Sequence, residues 1–62
     1  MYRVKEFLTI WGDGGFRVEE RVFGIFWITV EQDRLNYQKM WWAYTMKIKY
    51  SCFIETLDGK LL

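Results

Sequence analysis

Hydrophobic and polar residues alternate along most of this chain, and glycines separate the alternating runs. The first run, YRVKEFLTIW, places Val4, Leu8 and Ile10 on one side, with Glu6 as the exception, and Arg3, Lys5, Phe7 and Thr9 on the other. FRVEERV alternates in the same way after the glycine-rich WGDGGF. Period-two alternation is typical of half-buried β-strands, and a short glycine-rich break is typical of a hairpin turn. The pattern therefore predicts a β-hairpin with strands near 2–11 and 16–23.

Two further glycines predict changes of direction. Gly24 interrupts VFGIFWITV, where an isolated glycine indicates a bulge or a sharp bend. The segment after it is rich in β-branched and aromatic residues, so it predicts a third strand near 25–31. The polar EQDRLNYQ then reads as a connection or as the start of a short helix. Asp58-Gly59 predicts a final turn, from which the last residues fold back.

The longest alternation begins at position 42, where seven successive even-numbered residues are apolar or amphipathic. These residues are Trp42, Tyr44, Met46, Ile48, Tyr50, Cys52 and Ile54. The odd-numbered residues between them are mostly small or charged, so the pattern predicts a fourth strand near 42–56. Neighbours on a strand face opposite ways. Trp41 and Trp42 should therefore diverge, and the sequence leaves open which of the two is buried.

A helix is the rival interpretation of the same segment, with Asn36 as a possible N-cap. Its shared face would hold Tyr37, Met40, Trp41, Tyr44, Ile48 and Cys52. The strand is favoured because a helix would leave several apolar residues on its far side. We therefore predict a single β-rich or all-β domain over residues 1–62, an antiparallel sheet of four to five strands. The alternative is α+β, a three-stranded sheet plus a helix near 34–44.

The aromatic content adds a prediction about function, because it indicates a binding surface. Four Trp, four Tyr and five Phe make thirteen aromatic side chains in 62 residues. A chain this short buries only about 60% of its unfolded surface, and its one cysteine excludes an internal disulfide. Some rings should therefore be exposed, or lie under a protein partner or a second copy, and self-association predicts a homodimer. The interface candidates are Trp11, Trp27, Trp41 and Trp42.

Candidate chemistry is sparse. The chain has no histidine, so the commonest metal ligand and general base is missing. Glu19 and Glu20 are neighbours, and on a strand they would point to opposite faces. Cys52 falls on the apolar side of its run and is interpreted as a small core residue. The sequence predicts no catalytic residue, no metal site and no cofactor, and hence a protein that is not an enzyme.

A basic segment supports a second functional hypothesis. Residues 34–50 contain four Lys or Arg residues and no acid, although the net charge of the chain is only +1. On the predicted strand, Trp41, Lys47 and Lys49 share a face and could stack and hold single-stranded nucleic acid. The near-neutral total charge opposes this interpretation. Two lysines on one face also protect an edge strand from pairing with other chains.

The N-terminal sequence MYRVKEFLTI contains charges where a signal peptide has an apolar run. The longest uncharged stretch, residues 22–30, is about half the length of a membrane-spanning helix. A lone cysteine suits a reducing compartment. We therefore expect a cytoplasmic protein without a membrane partner.

Residues 2–30 resemble short uncharacterised proteins of bacteriophages and prophages. The resemblance lies in YRVKEF, the glycine-rich turn and FRVEERVFGIFWITV, a cadence in which a Tyr-Arg-Val strand precedes a strand ending in Phe-Trp. Those proteins usually continue with a short helix rich in Glu and Ala. Residues 34–55 do not have this composition. The resemblance implies a phage accessory protein that binds and modulates a host protein. Together with the aromatic surplus, it predicts a non-catalytic protein-interaction module that acts by surface occlusion.

Overall fold

The computed structural model describes residues 1–34 and 38–62. Its elements are β1 (Tyr2–Leu8), β2 (Gly14–Val22), β3 (Phe26–Asp33), α1 (Lys39–Tyr50) and β4 (Ile54–Glu55). The strands form one sheet in the order β3-β2-β1-β4. The first three strands are antiparallel, and β4 runs parallel to β1. The predicted β-rich sheet is confirmed, although β4 makes it mixed instead of fully antiparallel, and α1 also fits the α+β alternative.

The first hairpin is confirmed, with β2 starting at Gly14. Val4 of β1 lies opposite Val18 of β2 in the register. The Gly15 backbone lies so close to β3 that an added Cβ would be 1.9 Å from the Asp33 carbonyl oxygen. Only glycine fits at this position, so the glycine-rich segment serves strand pairing as well as the turn.

The second hairpin turns at Gly24, as the sequence predicts. The backbone N–H of Ile25 donates to the Val22 carbonyl at 3.2 Å. Phe23 and Gly24 both have positive φ, at 53° and 74°, as a type I′ turn requires of its central residues. A bulky side chain in this left-handed conformation costs about 1–2 kcal/mol. Phe23 is therefore a strained residue at an exposed hairpin tip.

The predicted strand near 42–56 is wrong, because α1 occupies most of that segment. The sheet face formed by Val4, Phe16 and Val18 needs a cover, and a further strand at the sheet edge could not supply one. A helix lying across the sheet does so, burying Ala43 and Met46. The period-two pattern was misleading because the apolar residues of this segment lie on both sides of a helix. Tertiary packing overrides the strand propensity of its aromatic residues.

The C-terminal end of α1 closes with a left-handed residue. Ser51 has a φ of 53°, and its N–H donates to the Ile48 carbonyl at 3.3 Å. The N–H of Cys52 donates to the Lys47 carbonyl at 3.1 Å, which completes a Schellman motif. Lys47 and Lys49 lie in the last turn, where cations favour the helix dipole. The possible N-cap at Asn36 lies outside the described residues.

The core lies between α1 and the sheet. Its buried members are Val4, Phe16, Val18, Ala43, Met46 and Ile54, and the half-buried residues packed against them are Tyr2, Trp42, Tyr50, Cys52 and Leu62. The predicted last turn is present, with Gly59 at a φ of 82°. After it the chain returns along β4, where Leu61 bridges Glu55. Within the described residues, no helix combines the length and apolarity needed to cross a membrane.

Candidate functional site

The two adjacent tryptophans point in different directions because they lie on a helix. Successive residues of an α-helix are about 100° apart around its axis. Trp42 packs against the core, whereas Trp41 is 66% exposed. The indoles therefore diverge as expected, but through helical rotation instead of strand alternation. The structure also decides what the sequence left open, namely that Trp42 is the inward residue.

Trp41 belongs to an apolar row on the outer side of α1, which we call the outer stripe and define as Trp41, Tyr44 and Ile48. Their spacing of three and then four residues places them on one helical face. All three are exposed, Ile48 by 80%. Lys47 lies at the side of the stripe, with its Nζ 5.8 Å from the Tyr44 ring centroid. No other element of the described chain covers this row.

The predicted basic row is wrong. On a helix, Lys47 and Lys49 are about 200° apart, so they cannot share a face with each other and with Trp41. Lys49 turns toward the sheet, where its Nζ lies 3.2 Å from Glu31 Oε2. Lys47 stays beside Tyr44. The helix therefore separates the three residues of the stacking platform that the strand interpretation predicted for nucleic acid.

A polar contact ties the end of α1 to β3. The Tyr50 hydroxyl donates a hydrogen bond to Glu31, and its ring lies 4.7 Å from the Tyr2 ring. This hydrogen bond to the carboxylate raises the pKa of Tyr50 to about 12. The same bond, followed by that from Lys49, lowers the pKa of Glu31. The contact orients the helix, and with it the outer stripe.

Trp27 lies on the opposite side of the sheet, which we call the open face because α1 does not cover it. The Arg3 guanidinium stacks over the Trp27 ring, with its Cζ 3.9 Å from the ring centroid. This cation–π contact leaves Trp27 half-buried. Trp27 therefore covers its own sheet and is not a freely exposed anchor. Trp11, in contrast, is exposed beyond the end of β1.

The middle of the open face holds a buried acid. Glu19 is only 6% exposed, and Arg3 Nε donates to it at 2.7 Å. Arg17 Nε lies 3.2 Å from the other Glu19 oxygen. That second contact lacks hydrogen-bond geometry, because Arg17 Nε has no hydrogen-bond partner among the described residues. Arg17 also lies 5.4 Å above the Phe7 ring centroid. Glu19 thus holds two guanidinium groups over the sheet.

This cluster was missed in the sequence because alternation alone places Glu19 on the solvent side. The signal that could have found it is the composition of that side. β1, β2 and β3 alternate so that Arg, Glu and aromatic residues share one face, where ion pairs and ring stacking can form across strands. That face carries an excess of two positive charges: Arg3, Lys5, Arg17 and Arg21 against Glu19 and Glu55.

The outer edge of β3, called the free edge here, is a third exposed surface. β3 is the terminal strand of the sheet, so the backbone groups on its outer side pair with no other described strand. Phe26 and Ile28 lie on the α1 side of β3, yet they are 58% and 46% exposed. At the adjoining hairpin tip, Phe23 is 92% exposed. The sequence predicted this strand but not its position at an edge.

Cys52 packs against the core, and burial raises the pKa of its thiol. A raised pKa keeps the thiol protonated, in agreement with its interpretation as a small core residue. In the part of the chain that the structure describes, no three His, Cys, Asp or Glu side chains gather where a metal ion could bind.

Comparison with protein families, curated proteins and solved structures gives no match to this chain. The resemblance of residues 2–30 to phage proteins therefore stays a prediction. The function has to be inferred from the geometry of the outer stripe, the open face and the free edge.

Proposed function

We propose that this protein is a non-catalytic interaction module that binds a protein partner through the outer stripe. The observation that carries the proposal is the exposed row of Trp41, Tyr44 and Ile48 on a helix whose inner side forms the core. Trp and Tyr concentrate binding energy at protein interfaces. In the cytoplasm of an infected host, such a module would modulate a host protein by covering part of its surface.

The spacing of the stripe suits one recognition mode. A helix that presents apolar residues at i, i+3 and i+7 can lie in a hydrophobic groove of its partner. α1 is held in place by its buried residues, by the Schellman motif and by the contact of Tyr50 with Glu31. A preordered helix loses less conformational entropy on binding than a flexible segment does. Lys47, beside the stripe, would favour a groove with an acidic margin.

The test compares two exposed tryptophans. Wild type, Trp41→Ala and Trp11→Ala are immobilised, and the proteins that they retain from the native host are quantified by mass spectrometry. Removing a hot-spot tryptophan costs at least about 2 kcal/mol, or roughly thirtyfold in affinity. We expect a partner that wild type and Trp11→Ala retain and that Trp41→Ala loses. Equal retention by all three proteins, or equal loss by both variants, would overturn the proposal.

The second candidate is binding of single-stranded nucleic acid, now at the open face. It is favoured by the excess of two positive charges there and by the neighbouring Phe7 and Trp27 rings. Against it, a guanidinium group already covers each ring. A base would have to displace Arg3 or Arg17 before it could stack. The outer stripe needs no such rearrangement, so protein binding is the preferred function.

Fluorescence anisotropy with a single-stranded oligonucleotide separates the two candidates. If the open face binds it, Lys5→Ala should weaken binding and lower the salt slope by about one, as expected for one lost phosphate contact. The matched control is Lys47→Ala on α1, which should leave both quantities unchanged. Absence of binding at low salt would remove this candidate.

A further inference from the structure

The two edges of the sheet differ in whether their backbone N–H and carbonyl groups have hydrogen-bond partners. β4 is only two residues long, and the C-terminal residues fold back over it. Leu62 N–H donates to the Ile54 carbonyl at 2.8 Å, and Ile54 N–H donates back to Leu62 at 3.3 Å. Thr56 N–H donates to Lys60 at 2.9 Å, closing the turn. The β4 edge is therefore covered by the chain itself.

The free edge has no such cover among the described residues. β3 is eight residues long, and residues 22–30 contain neither a charge nor a proline. Natural proteins usually protect an edge with lysine, proline, a bulge or a short strand. β3 has a bulge, where the register shifts between Val18 and Glu19 of β2, and the acids Glu31 and Asp33 after it. The segment from Phe26 to Thr29 remains regular and unprotected.

Side chains reinforce this difference. α1 packs over β1, β2 and β4, and it reaches β3 through the contacts of Lys49 and Tyr50 with Glu31. Phe26 and Ile28 lie beyond this cover, on the same side of the sheet as the core. A neighbouring strand would bury these apolar side chains and at the same time form hydrogen bonds with the outer backbone groups of β3.

We propose that the strand on the free edge is β3 of a second copy of this chain, paired antiparallel about a two-fold axis near Ile28. This deepens the proposed interaction function by naming one partner, and it does not depend on the outer stripe. An axis perpendicular to the sheet keeps both helices on one face. Phe26 and Ile28 of the two copies then form a continuous apolar floor between the helices.

The register follows from side-chain direction. Residues directly opposite each other in a sheet must face the same way, so an axis at Ile28 sets this residue against its own copy. Phe26 then lies opposite the bulge at Val30. The extra residue of the bulge brings Gly24 opposite Asp33 of the second copy. The hairpin tip of each chain thus meets the acidic end of β3 in the other.

Charge supports this register. At the tip, Arg21 Nε donates to the Gly24 carbonyl at 2.7 Å, so its guanidinium lies beside the turn. At the other end of β3 are Glu31 and Asp33, and Asp33 Oδ2 is buried without a hydrogen-bond partner among the described residues. Antiparallel pairing separates the acids of the two copies and sets each acidic end beside the other copy's hairpin tip, which holds Arg21 and no acid, although Arg21 lies on the open face and Glu31 and Asp33 lie on the α1 side. A parallel arrangement would bring like charges together instead.

The assembly closes at two copies. Each chain contributes one free edge, since its β4 edge is already covered, and the pairing uses both. Among the described residues, only the short segments on the β4 side are then left at an edge, so the expected product is a dimer and not a fibre.

The first experiment measures mass by sedimentation equilibrium at micromolar to millimolar concentration. We expect a dimer for wild type. Ile28→Lys removes an apolar contact from each copy and sets like charges against each other, so it should raise the dimer Kd by about a hundredfold or more. Ile48→Lys makes the same exchange at a more exposed site on the outer stripe and should leave the Kd unchanged. Circular dichroism checks that both variants fold.

The second experiment tests the register in a Cys52→Ser background and needs no destabilising charge. Ile28→Cys places two thiols across the axis, at a separation that a disulfide can span. We expect an intermolecular disulfide under mild oxidation, whereas Ile48→Cys should stay mostly reduced.

The outcomes are distinct. A wild-type monomer at millimolar concentration, a dimer lost in Ile48→Lys but kept in Ile28→Lys, or assembly beyond a dimer would each overturn the inference. Failure of the outer stripe to bind any partner would overturn the proposed function alone, because the dimer mass and its dependence on Ile28 would persist.

Discussion

On one face of the sheet, α1 covers Val4, Phe16 and Val18 with apolar side chains. On the other face no described element packs, and Arg3 and Arg17 lie over the strands instead. The described part of the chain has α1 as its helix and two sheet faces to cover. The aliphatic stems of arginine can cover apolar surface while the charged ends stay paired. One face is thus stabilised by burial, and the other by ion pairs and ring stacking.

The two faces differ in what happens when one of their contacts is removed. Apolar burial is non-directional and changes little with pH, whereas an ion pair requires both partners to be charged and correctly placed. Losing one apolar residue leaves a cavity, but losing Glu19 leaves two guanidinium groups without their acid. Four substitutions test this comparison, in order of decreasing expected effect.

The largest effect is expected for Phe16→Ala on the covered face. Phe16 is almost fully buried, and deleting such a ring costs about 3–5 kcal/mol. A domain of this length is stable by about 3–9 kcal/mol, so much of the variant should be unfolded. Denaturant unfolding followed by circular dichroism measures the loss. Phe7→Ala, the same exchange on the open face, should cost less. An equal loss would contradict the distinction between the faces.

Glu19→Ala should have the next largest effect. It leaves Arg3 and Arg17 without their shared carboxylate, and the expected cost is about 1–3 kcal/mol because both arginines remain partly hydrated. The control is Glu55→Ala, which removes an acid of the same face that lies 3.9 Å from Arg3. That half-exposed pair should contribute no more than about 1 kcal/mol. Equal unfolding free energies for the two variants would show that burial of Glu19 is unimportant.

Arg3→Lys tests ring stacking on the open face while keeping the charge. An ammonium group has no planar surface to lay over Trp27 and no Nε–H to donate to Glu19, so the variant should lose at least about 0.5–1 kcal/mol. Arg34→Lys makes the same exchange at an exposed position and should be neutral within measurement error. If both variants unfold at the same denaturant concentration as wild type, the stacking contributes nothing to stability.

The smallest effect is expected for Tyr50→Phe, which removes a polar contact from the covered face but leaves the ring in place. The pKa of Tyr50 is raised to about 12, so its contribution is present below pH 10 and is lost as pH rises through 12. The pKa of Glu31 is lowered, so its contribution is present above its ordinary value and is lost as pH falls below it.

The stability difference between wild type and Tyr50→Phe should therefore be constant from about pH 5 to 10 and shrink on either side. Denaturant unfolding across this range measures it, with Tyr44→Phe on the outer stripe as the control. A difference that stayed constant at both pH extremes would contradict the hydrogen bond between Tyr50 and Glu31.

Local pattern was sufficient for the two hairpins. Gly24 and the glycine-rich turn marked the reversals, and the alternation of β1 and β2 placed Val4 and Val18 on the apolar faces that the structure buries. It was insufficient for α1, because apolar residues on both sides of a helix can imitate a strand. What distinguishes the two is the uncovered sheet face, which exists only once β1 and β2 have paired.

The sequence predicted that aromatic residues would be exposed, but not which ones or on which surfaces. An excess of aromatic residues indicated that some would be exposed, and Trp41 and Trp11 are. Which tryptophan each element leaves outside was not predictable. Trp27 lies under Arg3, and the exposure of Phe26 and Ile28 follows from the limited reach of α1 over the sheet.

By itself, the amino-acid sequence determined the first three strands, the turns and the absence of histidine, since these depend on neighbouring residues and on composition. Only the tertiary structure decided that Glu19 is buried, that Trp42 points inward and that one sheet edge is left unpaired. The physical reason is that exposure depends on what packs against a residue, and that partner is usually far away in the chain.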